Sequence, residues 1–164
     1  MGKGTKHKSD WKETTLQVVV DAKRFFCHSV KIMGNDKVFA PTNDFRGMTL
    51  MRAFDLAYDI YEKVWTANTI NVSKTPDLVG ERLTLQRAAI LSCRQFLALM
   101  ELMKMQFHLR AQKYWNWKRM LLDLGIKTSA WNKSDAARYA KKDDLVKQDG
   151  GRLIPSTEPA SQVS

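Results

Sequence analysis

The sequence predicts an all-α fold, an antiparallel four-helix bundle, and three observations carry that expectation. Apolar residues recur at three- and four-residue spacing through four long segments, the period that puts them on one face of a helix. Only 8 Gly and 4 Pro occur in 164 residues, too few for the frequent turns of a sandwich or barrel. The composition, 44% hydrophobic and 27% charged, suits a chain with a core and excludes wholesale disorder.

The first helix has Asp10 as a candidate N-cap with Glu13 three residues on, the spacing of a capping box. Leu16, Val19, Val20, Phe26, Val30 and Met33 follow at helical intervals. The run Val18-Val19-Val20 is β-branched and also suits a strand, but the longer pattern has the helical period. Gly34-Asn35-Asp36 stops the helix. The second helix opens near Asn43–Thr49 and carries Leu50, Phe54, Ala57, Tyr61 and Val64 as its seam. It ends near Asn68.

The third helix runs from Pro76 to about Phe107, with Thr75 as N-cap and Pro76 at its first position. Leu85, Ala89, Phe96, Met100, Met103 and Phe107 form one stripe, and Ala88, Leu91, Ala98, Leu99, Leu102 and Met105 widen the apolar arc well beyond it. So broad an arc predicts burial on two sides, in the bundle and against another subunit. The fourth helix runs from about Ala111 to Leu124, with Tyr114, Trp117, Leu121 and Leu124 inward and Gly125 as its stop. The expected organisation is a flexible basic arm over 1–12, a bundle domain over 13–133 and a polar, mostly disordered tail over 134–164. Within that tail, Ala136–Val146 has the pattern of a short helix.

The net charge of +10 is concentrated. Residues 1–12 hold Lys3, Lys6, Lys8 and Lys12 against Asp10, and residues 104–133 hold seven cations against Asp123 alone. Local positive charge of this kind fits a polyanion, because neutralising phosphates releases counterions. Two Cys and no secretory signal or long apolar run point to a cytoplasmic chain outside the membrane, without a disulfide framework.

Catalytic and metal chemistry find little support. His7, His28 and His108 form no triad with a nucleophile. Cys27 and His28 are adjacent and point about 100° apart on a helix, so they do not readily chelate one metal. Cys93 falls in an apolar stretch and reads as an inert core thiol. Asp55, Asp59 and Glu62 share a side of the second helix and read as a solvated or salt-bridged face, since a di-metal bundle needs Glu-x-x-His motifs. No Gly-rich phosphate loop occurs. The sequence therefore predicts no enzyme activity, no cofactor and no metal.

The basic and aromatic residues do better. Lys104, Arg110, Lys113, Lys118, Arg119, Lys127 and Lys133 lie among Tyr114, Trp115, Trp117 and Trp131, and Arg82, Arg87 and Arg94 add cations on the third helix. Cations on phosphates with rings on bases is the chemistry of RNA recognition. Helical spacing turns Tyr114 and Trp117 inward and leaves Trp115 as the ring free to stack. Arg82, Arg87, Arg94, Lys104, Arg110, Lys113, Trp115, Lys118, Arg119, Lys127 and Lys133 are thus the expected RNA-binding residues. Arg87 and Arg94 share a face with Glu101 and His108, so part of that row also suits a salt-bridged seam between subunits.

Phe45-Arg46-Gly47-Met48-Thr49-Leu50 opening the second helix, Ala67-Asn68 closing it, and Tyr114-x-x-Trp117-x-x-x-Leu121-Leu122-Asp123-Leu124-Gly125 with a downstream Trp131 form a recognisable order. Over residues 14–133 the chain resembles the accessory variability determinant proteins of diversity-generating retroelements, within a wider group of four-helix bundles that includes the proteins of 23S rRNA intervening sequences. The resemblance implies a barrel-like homopentamer with a basic surface. It also implies binding to the element's reverse transcriptase and to its structured template RNA or an RNA/DNA hybrid, in support of mutagenic reverse transcription. The chain departs from the pattern where a single Asp123 and Leu124 stand for an acidic pair, and where Ser129-Ala130 stand for a glycine pair. The alternatives are an rRNA-binding bundle of the intervening-sequence type and a purely structural oligomer.

Overall fold

Four α-helices account for most of the described chain, and their order follows the apolar pattern. They are α1 (Ser9–Met33), α2 (Arg46–Thr69), α3 (Val79–Gln106) and α4 (Ala111–Gly150), with a 3-10 turn at Pro76–Leu78 leading into α3. The structure is a computed structural model that describes residues 9–40 and 44–150, with side chains over 17–40 and 44–140. The capping box at Asp10 and Glu13, the whole basic arm and the end of the tail lie outside the described side chains. Each helix packs on the next, and α4 returns against α1.

Aromatic rings lock the core. Phe25 of α1, Phe96 of α3 and Trp117 of α4 meet edge to face, with centroids 5.2 Å and 5.5 Å apart. All three are fully buried, as are Tyr114, Ile60 and Met100. Ser29 lies in the same layer. Its hydroxyl donates to the Phe25 carbonyl at 2.8 Å and accepts from Trp117 Nε1 at 2.8 Å. A buried indole N–H without a partner costs about 1–3 kcal/mol, so one serine lets the largest side chain sit at the centre.

That serine also corrects the expected stripe of α1. Among its described side chains the buried positions are Val18, Val19, Ala22, Phe25, Ser29 and Met33, whereas Val20 and Val30 are exposed. The inner face is turned because a polar residue holds a core position. On α2, Ala57 and Val64 are buried as expected, but Ala53, Leu56, Ile60 and Ala67 complete the seam and Phe54 is exposed. The stripe of α3 is buried at Ala89, Phe96, Met100 and Met103. Thr75 does not cap α3; its hydroxyl donates to the Asn71 carbonyl at 2.9 Å.

The largest correction concerns α4. It does not stop at Gly125 but runs to Gly150, so the boundary expected at 133 falls inside a helix. Tyr114, Trp117, Leu121, Leu124, Thr128, Trp131 and Asp135 form one continuous buried row at three- and four-residue spacing. A glycine inside a helix costs only about 0.5–1 kcal/mol, which that row outweighs. A Cβ at Gly125 would meet Cys93 Cβ at 3.8 Å, ordinary contact.

The second half of α4 is held by a buried polar network. Asp135 is 1% exposed, and it accepts from Arg82 Nε and Gln86 Nε2, each at 2.8 Å. Arg82 also donates to the Ile70 carbonyl at 2.9 Å and lies 5.1 Å from the Trp131 ring centroid. Asn132 donates to Gln86 Oε1 at 2.9 Å and to the Leu83 carbonyl at 3.2 Å.

Candidate nucleic-acid interface

The expected RNA-binding residues separate into three groups, decided by where the carboxylates fall. The first group is already occupied. Arg82 is 9% exposed and committed to Asp135, so it does not reach a ligand. This corrects the expectation, and the cause is a carboxylate 53 residues away in sequence. Lys127 is bound to Asp21 of α1. Lys118 donates to Glu101 Oε1 at 2.7 Å and to the Tyr114 hydroxyl oxygen at 3.2 Å, and the Tyr114 hydroxyl donates to Glu101.

Lys118 nevertheless helps build a surface. Trp115 is 52% exposed and meets Tyr114 edge to face at 5.4 Å. Lys104 Nζ lies 4.6 Å from the Tyr114 centroid and 5.8 Å from that of Trp115; Lys118 Nζ lies 5.4 Å and 5.1 Å from the same rings. Two ammonium groups against one indole give cation–π support and hold the ring in place. Within the cluster, the hydrogen bonds from Lys118 and then Tyr114 lower the Glu101 pKa. The bond to Glu101 raises that of Lys118. Burial first, then the bond to Glu101, raises that of Tyr114. Lys118 thus stays cationic with its charge balanced, and the charge of Lys104 also acts on Glu101.

The second group stands free. Arg110, Lys113 and Arg119 are exposed, with no ion-pair partner among the described residues. Arg110 lies in the turn between α3 and α4, and the other two lie in the first three turns of α4. A charge left unpaired at the surface keeps its water until an anion arrives, so it costs the fold nothing and is available for binding.

Arg87, Arg94 and Lys133 form the third group. They stand at the margin of a groove between α3 and α4 that holds about 460 Å³ above Ile90, Leu97, Leu122 and Ile126 and runs into a second hollow of about 260 Å³ beside Leu91 and Asn132. Ile126 is 68% exposed, and Leu91, Leu102 and Met105 extend the apolar surface along α3. Sequence reasoning anticipated this outer arc of α3. It missed its counterpart on α2, where Met51, Phe54, Tyr58 and Trp65 are exposed beside Asp55 and Glu62. Their spacing of three, four and seven residues was the available signal, masked by the assignment of Phe54 to the core.

Among the described residues no group of three or more His, Cys, Asp or Glu is placed to hold a metal ion. Asp59 instead accepts from Lys63 and Ser92. No described helix is long and apolar enough to cross a membrane. The chain matches no known family model, no curated protein and no solved structure.

Proposed function

We propose that this chain is a non-enzymatic, RNA-binding scaffold that assembles with copies of itself. The observation that carries the reading is the set of cations without carboxylate partners on and beside α4, namely Arg110, Lys113 and Arg119, next to the half-exposed ring of Trp115. Phosphates on the cations supply affinity, and a base on Trp115 supplies stacking. Lys104 and Lys118 hold that ring in place.

Self-assembly is supported by two unlike apolar faces. One is the α3/α4 groove rimmed by Arg87, Arg94 and Lys133; the other is the aromatic row of α2 beside Asp55 and Glu62. They are distinct surfaces, one carried by α2 and the other lying between α3 and α4. A face that fits a different face builds a ring or a filament rather than a two-fold dimer. This arrangement supports a closed ring such as a homopentamer, with Arg87, Arg94 and Lys133 assigned to the seam. Arg82 with Asp135 and Glu101 with Lys118 link α3 to α4 in opposite residue order, which supports an antiparallel bundle. The likeness of the Tyr114 to Trp131 segment to accessory variability determinants supplies the biological setting. In that setting the chain is a cytoplasmic accessory protein of a diversity-generating retroelement, holding template RNA for a reverse transcriptase that performs the chemistry.

The test is RNA binding by the triple variant Arg110→Glu, Lys113→Glu, Arg119→Glu, measured by fluorescence anisotropy over a salt series. Wild type gives a steep salt dependence, and the variant loses about one unit of slope per phosphate contact removed. Unchanged affinity and slope, with helicity intact, overturn the RNA-binding reading. Light scattering on the same samples reads the assembly. A defined oligomer without RNA binding establishes the structural-oligomer reading that the aromatic row of α2 favours.

A further inference from the structure

The turn between α3 and α4 and the loop after α1 enclose a third cavity, of about 190 Å³, at one end of the bundle. Its lining is Lys37 and Val38 from the loop, Phe107, His108, Leu109 and Arg110 from the turn, and Lys113 from α4. The polar side chains in that lining are basic, and no carboxylate is among them. Val38, Phe107 and Leu109 form an apolar inner wall, with Phe107 held edge to face on Phe39 at 4.9 Å.

Three features make the cationic lining persist. The neighbouring carboxylate, Asp36, is engaged by Arg46 at 2.5 Å and does not neutralise Lys37. The Lys37 amide donates to Asn35 Oδ1 at 3.0 Å, which shapes the loop that carries it. His108 takes a left-handed backbone, φ 51°, in a turn that joins two long helices within four residues. A non-glycine residue in that region is held there by its surroundings. Lys37, His108, Arg110 and Lys113 have no ion-pair partner among the described residues.

We propose that this cavity is a binding pocket for the terminal phosphate of a nucleic-acid strand. A terminal phosphate carries close to two negative charges at neutral pH, and an internal diester carries one. Three formal cations around one recess match the dianion. The volume admits a phosphoryl group with several waters, a water occupying about 30 Å³. The apolar wall lowers the local dielectric and strengthens each contact. The inference rests on the RNA-binding reading and refines it, adding Lys37 and His108 to Arg110 and Lys113.

The experiment compares two RNA oligonucleotides of one sequence, one with a 5′-phosphate and one with a 5′-hydroxyl, binding to the full chain. Wild type is expected to bind the phosphorylated strand about tenfold more tightly, the worth of one charge-assisted hydrogen-bonded contact. In Lys37→Gln and in Arg110→Gln, both exposed positions, that preference falls towards unity. The same strands phosphorylated at the 3′ end determine which terminus is accepted. Equal affinity for phosphorylated and hydroxyl strands at both ends overturns the pocket and leaves RNA binding standing. No binding of any strand overturns the RNA-binding reading and the pocket with it. A preference that survives both substitutions places the phosphate elsewhere and overturns the assignment.

Discussion

Replacing Asp135 by alanine removes the carboxylate that receives Arg82 Nε and Gln86 Nε2, both at 2.8 Å, from a site where the aspartate is 1% exposed. What remains is a guanidinium whose side chain is 11% exposed, with the Ile70 carbonyl and the Trp131 face for company. Removing one partner of a buried pair costs about 3–5 kcal/mol. The residual access of Arg82 to water and its two surviving contacts put this site at the low end, about 3 kcal/mol. For a chain of this size that corresponds to a fall in Tm of about 6–12 °C. The assay is thermal and urea unfolding followed by helicity, with both proteins at one concentration because assembly also stabilises. The double variant Arg82→Met, Asp135→Leu is expected to recover most of the loss, since an apolar pair removes the stranded charge. A change below about 1 kcal/mol for Asp135→Ala, the range of an exposed ion pair, refutes the claim that residues beyond 133 are anchored in the bundle.

Gly125→Ala is expected to stabilise the protein by about 0.5–1 kcal/mol, because the position is helical, Cβ would make an ordinary contact with Cys93 and no described glycine has positive φ; a lower Tm contradicts the continuous helix. His28 has a lowered pKa, first from burial and then from the charge of Lys31, and its Nε2 is buried without a hydrogen bond. The unfolded chain therefore binds a proton more readily, and stability is full above pH 6.5 and falls as the pH drops below it. Urea midpoints above and below that pH should differ in wild type and much less in His28→Gln; equal differences remove His28 as the cause. Burial pushes the Cys93 thiol up to about 12, so in the native protein at mildly alkaline pH it resists disulfide reagents until urea exposes it. Rapid native modification of Cys93 would show that the α3/α4 contact opens.

Much of the bundle was legible because long apolar repeats have few alternatives. The end of α3 and the row Tyr114, Trp117, Leu121, Leu124 are legible from spacing alone, whereas the start expected at Pro76 is a 3-10 turn and α3 begins at Val79. The sequence turns the inner face of the first helix, because Ser29 is polar and becomes core only when Trp117 arrives from α4 to use its hydroxyl. Gly125 reads as a stop in sequence, because a local signal cannot weigh Trp131 and Asp135 finding partners on α3. Phe54 reads as core in sequence, because hydrophobicity alone does not distinguish an inward ring from one exposed beside Tyr58.

The candidate site divides the same way. The local excess of basic residues around α4, and the outward position of Trp115, were properties of the sequence. They follow from composition and from a period of 3.6, which need no third dimension. Which cations are free was decided only by the tertiary structure. Arg82, Lys118 and Lys127 meet carboxylates 53, 17 and 106 residues away, whereas Arg110, Lys113 and Arg119 meet none that is described. Pairing of charges depends on distance in space, and distance along a folded chain carries almost no information about it.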